Sequence, residues 1–502
     1  MAPASSVPNS ERFSHPCLEQ ELIVKRLLLA ILLVAGSAPE LRAQFPATDY
    51  QLRRDALVAR MPDAAVVVFG ANAPEHDYLE FYQNPTMLYL SGIREPDAAL
   101  VLIKQDGRVR GTVFVLPRDP AAEVWSGKRI GTAGATELTG LPARSRPELD
   151  AVLDSIAGTT SLPFYVGGGV TGASAGRGGV MTASDQYVAA LRARHADLLI
   201  QPVVNDAVMR LRGTKSPAEI ALIRKAVDIT VESHLHAMRA TEPGMHEYEI
   251  EAMIEYGFRR QGAERPAFAS IVGSGPNATV LHYNANDRKI DAGDVIVMDI
   301  GASYMGYAAD ITRTIPANGT FSEEQRQIYQ IVRDAQAAAE RNAKPGMRAG
   351  AMLDSARAII AAGLSRLGLI ESPTATYDVR ARDGSVRQAS QIGLYFMHGL
   401  GHGIGLEVHD PDQYYFTGTI AAGSAFTIEP GIYVRENLLD ILADTPRNRA
   451  LIAKLRPSIE RYRNIGVRIE DDYIVTDHGL EWISRVPREI AEIEAVMRGT
   501  TP

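Results

Sequence analysis

The stretch MHGLGHGIGLEVHD, residues 397–410, carries three of the eleven histidines of the chain. His398, His402 and His409 are separated there by four glycines. Imidazoles bind divalent metal ions and transfer protons near neutral pH, and glycines allow a second backbone or a substrate to approach closely. If the stretch is extended, period-two alternation puts His398 and His402 on one face, whereas His409 requires an intervening bulge or turn. The stretch therefore predicts a site for metal binding or proton transfer.

A pair of aspartates lies in the segment DVIVMDIGASYMGYAADITRT. This segment predicts two strands, 295–301 and 308–314, joined by a two-residue turn at 304–305. Such a hairpin places Asp299 directly opposite Asp310. Two facing carboxylates about 5 Å apart repel each other. Either one of them is protonated, or a cation lies between them.

Two glutamates lie in similarly apolar surroundings. Glu429 follows SAFTI, and Glu470 lies in GVRIEDDYIV, where alternation turns it to the same face as Arg468. Either glutamate alone is typical of a solvated strand residue. Together with the aspartates and one imidazole, they form a ligand set that suits Mn(II), Co(II), Fe(II) or Zn(II), and a carboxylate-rich site with two such ions is a common hydrolytic centre.

The composition of the whole chain narrows its possible partners. The chain has 502 residues, 52 of them basic and 60 acidic, and a net charge of −8. This balance gives no cationic surface of the kind that binds nucleic acid. With 46% hydrophobic residues, the chain is long enough for two or three domains with their own cores. Peptides or small molecules are therefore the expected partners.

Residues 1–43 are expected to be an upstream extension followed by a secretory signal peptide. Two cations precede an apolar run that is shorter than the roughly 20 residues needed to span a bilayer, and a buried helix seldom begins in this way. Cleavage after Ala43 makes Gln44 the first residue and removes Cys17, the only cysteine, so that neither a disulfide nor a thiol nucleophile remains. We expect Val24 to be the true start and the protein to be exported, periplasmic or secreted.

The remaining chain divides into two parts. From 44 to 205, short β-rich runs such as AAVVVFG and AALVLI alternate with helical stretches, which predicts a small α/β domain. The second part, 206–502, contains capping boxes at Ser216 and Ser322, each of which predicts the start of a helix. Strands rich in valine, isoleucine and threonine lie between and after these helices.

Five motifs give the second part a family resemblance: SIVGSGPNATVLHY, MDIGASYMGYAADITRT, MHGLGHGIGLEVHD, TIEPGIYV and VRIEDDYIVT. From about Arg210 onward the chain resembles the pita-bread metallopeptidases, the family of methionine aminopeptidase, Xaa-Pro aminopeptidase (aminopeptidase P) and prolidase. The first part resembles the amino-terminal domain of aminopeptidase P and prolidase through YLEFYQNPTMLYLSGIREPDAALVLI and PRDPAAEVWSGKRIG. The resemblance implies an α/β (α+β) fold, with a small amino-terminal α/β domain followed by a pita-bread catalytic domain.

The resemblance also implies the residues of the site. It implies two divalent ions, most often Mn(II), with Co(II), Zn(II) or Fe(II) as alternatives. The implied metal ligands are Asp299, Asp310, His402, Glu429 and Glu470. Of these, Asp310 and Glu470 are expected to bridge the two ions.

Further residues receive catalytic roles from the same resemblance. Glu429 is expected to carry the proton of the attacking water, and His409 and His282 are expected to stabilise the oxygen anion that develops on the substrate. His398 is expected to contact the substrate on the leaving-group side. Arg468 is expected to orient the neighbouring carboxylates.

The expected activity is removal of the first residue from peptides with proline in the second position. Prolidase, which cleaves Xaa-Pro dipeptides, is the alternative within enzymes, and a non-catalytic binding protein with the same fold is the alternative outside them. We expect a homo-oligomer with peptide substrates, no nucleic acid and no membrane span after signal cleavage.

Two features depart from the family pattern. Gly403 follows His402 where many aminopeptidase P members have a bulky residue. The segment between Glu429 and Glu470 is also longer than in compact members. Its charged and partly helical pattern predicts a surface insertion.

Overall fold

The computed structural model describes residues 44–169, 182–411 and 418–500. The expected extension and signal peptide, with Cys17 and Val24, lie outside these residues and stay predictions. From Ala47 onward the chain forms one unit. None of the helices formed by the described residues combines the length and the apolar composition needed to cross a bilayer.

A six-stranded mixed sheet organises the amino-terminal part. In chain order its strands are β1 (Ala64–Phe69), β2 (Ala99–Gln105), β3 (Arg108–Val115), β4 (Ala143–Ser145), β5 (Phe164–Gly168) and β6 (Ile200–Gln201). They lie side by side in the order β4-β3-β2-β1-β5-β6. The central strand β1 is buried along its whole length, as expected for its sequence AAVVVF.

Helices cover this sheet. The second of them starts at Pro85 because the side chain of Asn84 accepts a hydrogen bond from the amide of Met87. It ends at Gly92, where φ is 72° and any Cβ would collide with the ring of Tyr50. In chain order the helices are α1 (Ala47–Ala59), α2 (Pro85–Ser91), α3 (Pro120–Ser126), α4 (Gly131–Thr139), α5 (Leu149–Thr159), α6 (Ala183–Arg194) and α7 (Val204–Arg212).

Long helices characterise the second part, and the predicted capping boxes start two of them. The hydroxyls of Ser216 and Ser322 each accept the amide of the third helical residue, and the side chain of that residue binds the serine amide in return. In chain order these helices are α8 (Pro217–Ala240), α9 (Glu247–Arg260), α10 (Glu323–Asn342), α11 (Gly350–Arg366), α12 (Pro446–Tyr462) and α13 (Ile490–Met497).

The strands of the second part form several small sheets. The strands are β7 (Arg265–Pro266), β8 (Ile271–Ser274), β9 (Val295–Ile300), β10 (Ala302–Tyr304), β11 (Tyr307–Ala308), β12 (Ile311–Pro316), β13 (Thr376–Arg380), β14 (Val386–Ser390), β15 (Ala425–Ile428), β16 (Gly431–Val434), β17 (Ile465–Arg468), β18 (Asp471–Thr476) and β19 (Gly479–Trp482). Their orders within the sheets are β11-β10-β7, β12-β9-β8, β13-β14, β15-β18-β19 and β16-β17. A single bridge between Thr312 and Glu470 connects β12 with the segment before β18.

The predicted register of the hairpin is wrong, but Asp299 and Asp310 lie on one face of it, as predicted. The turn residues are Met305 and Gly306, whose φ angles of 50° and 85° suit a type I′ turn. Asp299 therefore pairs with Thr312 instead of Asp310. Because the shift is two residues and side chains alternate with a period of two, Asp299 and Asp310 still lie on one face, as diagonal neighbours.

The insertion between Glu429 and Glu470 contains helix α12, as its pattern predicts, and the helix has an exposed face. It is fastened to the β13–β14 hairpin through Asn448. The side-chain oxygen of Asn448 accepts the amide of Asp378 at 3.0 Å, and its NH₂ group donates to the carbonyl of the same residue at 2.9 Å. The hairpin and the inserted helix thus form one accessory element.

Candidate metal centre

A buried cluster of one imidazole and two carboxylates lies where these small sheets meet. Asp310, His402 and Glu470 each offer one ligand atom, and these atoms all lie within 4.8 Å of one another. His402 Nε2 is 3.4 Å from Asp310 Oδ2 and 3.9 Å from Glu470 Oε1. The same nitrogen is 3.7 Å from Glu429 Oε1, so that a fourth predicted ligand joins the cluster.

Strand ends and backbone hydrogen bonds position these carboxylates. The amide of Glu470 donates to the carbonyl of Thr312 at 3.1 Å, and the hydroxyl of Thr312 donates to Glu470 Oε2 at 2.7 Å. Glu429 follows β15, and its amide donates to the carbonyl of Leu400 at 2.7 Å. Asp310 immediately precedes β12, and its amide donates to Asp472 Oδ2 at 3.0 Å. The side chains converge because their backbones are tied to one another.

The histidine stretch is an irregular loop and does not form an extended strand. Gly401 passes so close to β15 that a Cβ there would lie 2.2 Å from the carbonyl oxygen of Thr427. Gly403 is required in the same way, because the chain folds back over it: its amide donates to the carbonyl of Pro411 at 3.0 Å, and its carbonyl accepts the amide of Asp410 at 2.6 Å. The predicted turn before His409 is therefore present.

Three of the predicted carboxylate ligands each have an oxygen that no described residue binds. Asp299 Oδ1, Asp310 Oδ1 and Glu470 Oε1 are buried without a hydrogen-bond partner among the residues that the structure describes. Burial, together with the negative charges of neighbouring carboxylates, raises the pKa of Asp310 and of Glu470 well above their ordinary values. Burial raises the pKa of Glu429 to about 8 even though Arg468 opposes this shift. Unpartnered oxygens and raised pKa values are the conditions that a bound cation relieves.

The two histidines nearest the carboxylates are neutral. Burial lowers the pKa of His402 to about 3, and the nearby His409 adds to the shift. Burial and the charge of Arg468 lower the pKa of His398 to about 3. A neutral imidazole is the form that binds a metal ion, and His402 Nδ1 lies 3.0 Å from the carbonyl of Gly403, which leaves Nε2 facing the carboxylates.

The remaining predicted residues surround this cluster. The rings of His402 and His409 are 4.1 Å apart between centroids. His398 Nδ1 lies 3.6 Å from Glu429 Oε2 on another side. His282 is exposed and follows Leu281, whose carbonyl accepts a hydrogen bond from Arg468 at 2.9 Å. All nine predicted residues therefore lie at or beside one centre, with His282 at its rim.

Arg468 is the one guanidinium within this group. It is buried at the end of β17 and forms an ion pair with Asp299. Its Nε donates to the hydroxyl of Tyr433 at 2.8 Å, and the same hydroxyl lies 2.9 Å from His398 Nε2. Arg468 thus holds one carboxylate and, through Tyr433, one imidazole.

Sequence reasoning missed Tyr433 and Thr312. Tyr433 lies two residues after Gly431, where a Cβ would be 2.4 Å from the tyrosine hydroxyl. The spacing in EPGIYV was the available signal, because period-two alternation puts Gly431 and Tyr433 on one face and the glycine leaves room for the ring. Thr312 had no comparable signal, because its role depends on a bridge to a distant segment.

Comparison with known proteins defines the class. Residues 221–477 match the family described as "Metallopeptidase family M24". Residues 50–163 match the family described as "Aminopeptidase P, N-terminal domain". The Xaa-Pro aminopeptidase of Haemophilus influenzae is 34% identical over 464 residues, which cover 91% of this chain and 98% of that protein. The Xaa-Pro aminopeptidase of Escherichia coli is 34% identical over 463 residues, which cover 89% and 97%.

Solved structures agree with this result. A structure of Escherichia coli aminopeptidase P in complex with substrate has a TM-score of 0.74 and 32% identity, and the match covers 91% of this chain and 99% of that one. The structure of Pseudomonas aeruginosa aminopeptidase PepP gives the same TM-score, identity and coverage.

The chain belongs to metallopeptidase family M24. Within that family it is a metallo-aminopeptidase of the Xaa-Pro aminopeptidase type, with the amino-terminal domain of aminopeptidase P and a pita-bread catalytic domain. The predicted fold class is thereby confirmed. Membership implies divalent metal ions, and the donor set of Asp310, His402 and Glu470 fits them.

Proposed function

We propose that this chain is an exported exopeptidase that removes the first residue from peptides with proline in the second position, and that it uses two divalent metal ions. The observation that carries the proposal is the cluster of unpartnered buried carboxylates around the neutral imidazole of His402. The relatives named Xaa-Pro aminopeptidase, which match nearly the whole chain, support the choice of substrate.

Charge supports two ions instead of one. Metal ligands bind as carboxylates, and when Asp299, Asp310, Glu429 and Glu470 are all ionised the single guanidinium of Arg468 leaves three negative charges for bound cations to neutralise. One divalent ion leaves the site negative. Two divalent ions together with one hydroxide neutralise it, and paired ions are a common solution in hydrolytic sites. Under this proposal the ligands are Asp299, Asp310, His402, Glu429 and Glu470.

Under this proposal, individual residues have distinct roles in the hydrolysis of the peptide bond. When bound, the ions lower the pKa of a water molecule and polarise the scissile carbonyl. Glu429 accepts the proton of the attacking water and delivers it to the leaving nitrogen. His409, beside His402, donates to the oxygen anion that develops on the carbonyl, and His282 assists it from the rim. His398 contacts the substrate on the leaving-group side, and Tyr433 and Arg468 hold it there.

Hydrolysis of matched tripeptides tests the substrate. Enzyme loaded with Mn(II), the metal that we propose, should cleave Ala-Pro-Ala with a much higher kcat/KM than Ala-Ala-Ala. Comparable values would contradict selectivity for proline. Activity confined to the dipeptide Ala-Pro would instead identify a prolidase. Loading with Co(II), Zn(II) or Fe(II) and analysis of the metal bound after purification from the native host test the metal.

Export and assembly have their own experiments. The basic and apolar anatomy of residues 24–43 supports export to the periplasm or the medium, with Gln44 as the first residue of the mature protein. N-terminal sequencing of the mature protein decides this point, and retention of residues 1–23 would refute it. Sedimentation velocity measures the oligomeric state, for which we propose a homo-oligomer.

A further inference from the structure

A cavity of about 470 Å³ lies beside the metal centre. Its wall is formed on one side by Tyr82 and Arg94 of the amino-terminal part and on the other by Arg265 and the β10–β11 hairpin. Val408 also lines it, directly before His409, whose ring packs on His402. The cavity is within the size range of ordinary ligand sites.

The acidic groups of this cavity are already paired. Glu264 accepts a hydrogen bond from Arg94 Nη1 at 2.5 Å and from the amide of Gly306 at 3.0 Å. Glu407 also lines the cavity, and it forms an ion pair at 2.7 Å with Arg212, which does not line it. These pairs leave the charge of Arg265 without a counterpart in the wall.

An aromatic ring holds the side chain of Arg265 in place, and no described residue forms a hydrogen bond with that side chain. Its guanidinium lies 3.6 Å from the centre of the Tyr82 ring, so a cation–π contact fixes its position. Within the described parts of the chain its side chain forms no hydrogen bond or ion pair, and its Nε is buried. Arg94 Nη2, on the facing wall, is likewise buried without a partner. Leaving such donors unsatisfied is costly, and a carboxylate is the group that satisfies a guanidinium best.

The cavity lies on the side of the first substrate residue. Ala308 lines it two residues before Asp310, which is about 7 Å at the spacing of an extended chain. His398 and Tyr433, which the proposed function places on the leaving-group side, are absent from the described residues that line it. The side chain of the residue to be removed can therefore extend from the metal centre into the cavity.

We infer that Arg265, with Arg94, binds a carboxylate on the side chain of the first substrate residue, so that the enzyme prefers peptides beginning with Glu-Pro or Asp-Pro. The inference rests on the proposed function, because the cavity is assigned to the first residue only if the enzyme is an aminopeptidase. Arg265 is then a specificity-determining residue, since it contacts the substrate away from the reacting atoms.

Matched peptides test this preference. Glu-Pro-Ala and Gln-Pro-Ala have the same shape and the same termini, and differ only in the carboxylate. We expect wild type to favour Glu-Pro-Ala by roughly ten- to a hundredfold in kcat/KM, the range expected for a hydrogen bond to a charged group. Arg265→Gln should reduce this ratio to near one, and Arg265→Lys should retain part of it because the charge remains without the planar fork.

The matched control is Arg485→Gln. Arg485 also lies over an aromatic ring, at 4.5 Å from that of Trp482, but it is exposed and does not line the cavity. This variant should keep the wild-type ratio. A binding measurement on metal-free protein adds a readout besides activity: L-glutamate should raise the Tm of wild type more than L-glutamine does, and Arg265→Gln should abolish the difference.

Two results would overturn the inference. Equal kcat/KM for the two peptides in wild type would show that the cavity does not recognise the carboxylate of the first side chain. A ratio that survives in Arg265→Gln would show that another group reads it. Efficient cleavage of Ala-Pro-Ala in either case leaves the proposed function standing, whereas failure to cleave any peptide with proline in second position overturns both.

Discussion

Two consecutive buried carboxylates, Glu470 and Asp471, have opposite surroundings. Asp471 accepts hydrogen bonds from five side chains at 2.6 to 3.1 Å: Arg313, Trp482, Ser484, Gln336 and Arg488. Burial raises the pKa of Asp471, but Arg313 and Arg488 more than reverse this, and the pKa lies below its ordinary value. Among the described residues, Glu470 has one side-chain donor, the hydroxyl of Thr312, and its pKa is raised well above the ordinary value.

The difference separates a carboxylate that serves folding from one that serves function. A fully hydrogen-bonded buried charge needs nothing further, and removing it leaves its basic partners unpaired. A buried carboxylate with an unpartnered oxygen is stable only when something else supplies the positive charge. We therefore expect substitutions at the two positions to affect different measurements.

The largest effect is expected for Glu470→Gln, and it should fall on activity. Under the proposed function Glu470 is a metal ligand, and its loss should remove several kcal/mol of transition-state stabilisation, or on the order of 10³-fold in kcat/KM. Because the substitution also removes a buried acid whose ionisation the neighbouring carboxylates oppose, the metal-free variant should unfold at a Tm no lower than that of metal-free wild type. Assays with Ala-Pro-Ala and melting curves in chelator check both parts. A marked fall in the Tm of the metal-free variant would contradict the comparison.

Asp471→Asn should show the reverse pattern. It leaves the fully buried Arg313 without its carboxylate, and breaking a buried pair from one side costs about 3–5 kcal/mol in the free energy of unfolding. Urea unfolding measures this loss, with Glu470→Gln as the matched control at the neighbouring position. Bound metal per folded molecule should stay close to that of wild type. Wild-type stability in Asp471→Asn would remove the basis for calling this cluster a folding element.

Chelation tests the metal cluster as a whole. Removing the ions leaves Asp299 and Asp310 as diagonal neighbours with unpartnered oxygens, so the Tm of wild type should fall along with its activity. Asp310→Asn removes one ionisable group and one proposed metal ligand. It should contain less metal, lose most activity, and show a much smaller Tm shift on addition of chelator. Unchanged metal content in this variant would refute the assignment of Asp310.

The same cluster predicts how the stability of the metal-free protein depends on pH. The pKa of Glu429 is raised to about 8 from an ordinary 4.5, and those of Asp310 and Glu470 are raised well above their ordinary values. Between about pH 4.5 and 8 the folded state therefore binds more protons than the unfolded state, and the free energy of unfolding falls as pH rises.

Bound cations keep these carboxylates ionised, so the Tm difference between metal-loaded and chelated protein should widen over this pH range. Melting curves with and without chelator at about pH 5 and about pH 8 measure it. Asp471, with its lowered pKa, contributes stability that is lost only as pH falls below its ordinary value of 3.8. A constant Tm difference would indicate that the carboxyl groups of the metal-free cluster are screened by solvent.

The sequence predicted part of the contrast between Glu470 and Asp471. Alternation in GVRIEDDYIV correctly separates Glu470 from Asp471, and the five motifs correctly bring the acids and His402 to one centre. The donors around Asp471 come from α10, β12 and the segment after β18, and no local pattern ties them to it. The hairpin shows the same limit, because period two predicted the shared face of Asp299 and Asp310 while the turn conformation at Met305 and Gly306 determined the register.

The smallest effect on activity is expected for Tyr433→Phe, at the edge of the metal cluster. Its hydroxyl accepts a hydrogen bond from Arg468 at 2.8 Å and lies 2.9 Å from His398 Nε2, so it positions an imidazole and a guanidinium. Tyr433→Phe should lower kcat by roughly tenfold, since losing a hydrogen bond to a charged group costs about 1.5–3 kcal/mol before the site relaxes.

The matched control is Tyr329→Phe, which removes a buried hydroxyl that donates to the carbonyl of Arg488 at 2.9 Å, in the Asp471 cluster. Both variants should lose a similar, small amount of Tm, but only Tyr433→Phe should lose turnover of Ala-Pro-Ala. Equal kcat values in the two variants would show that the Tyr433 hydroxyl serves only the fold.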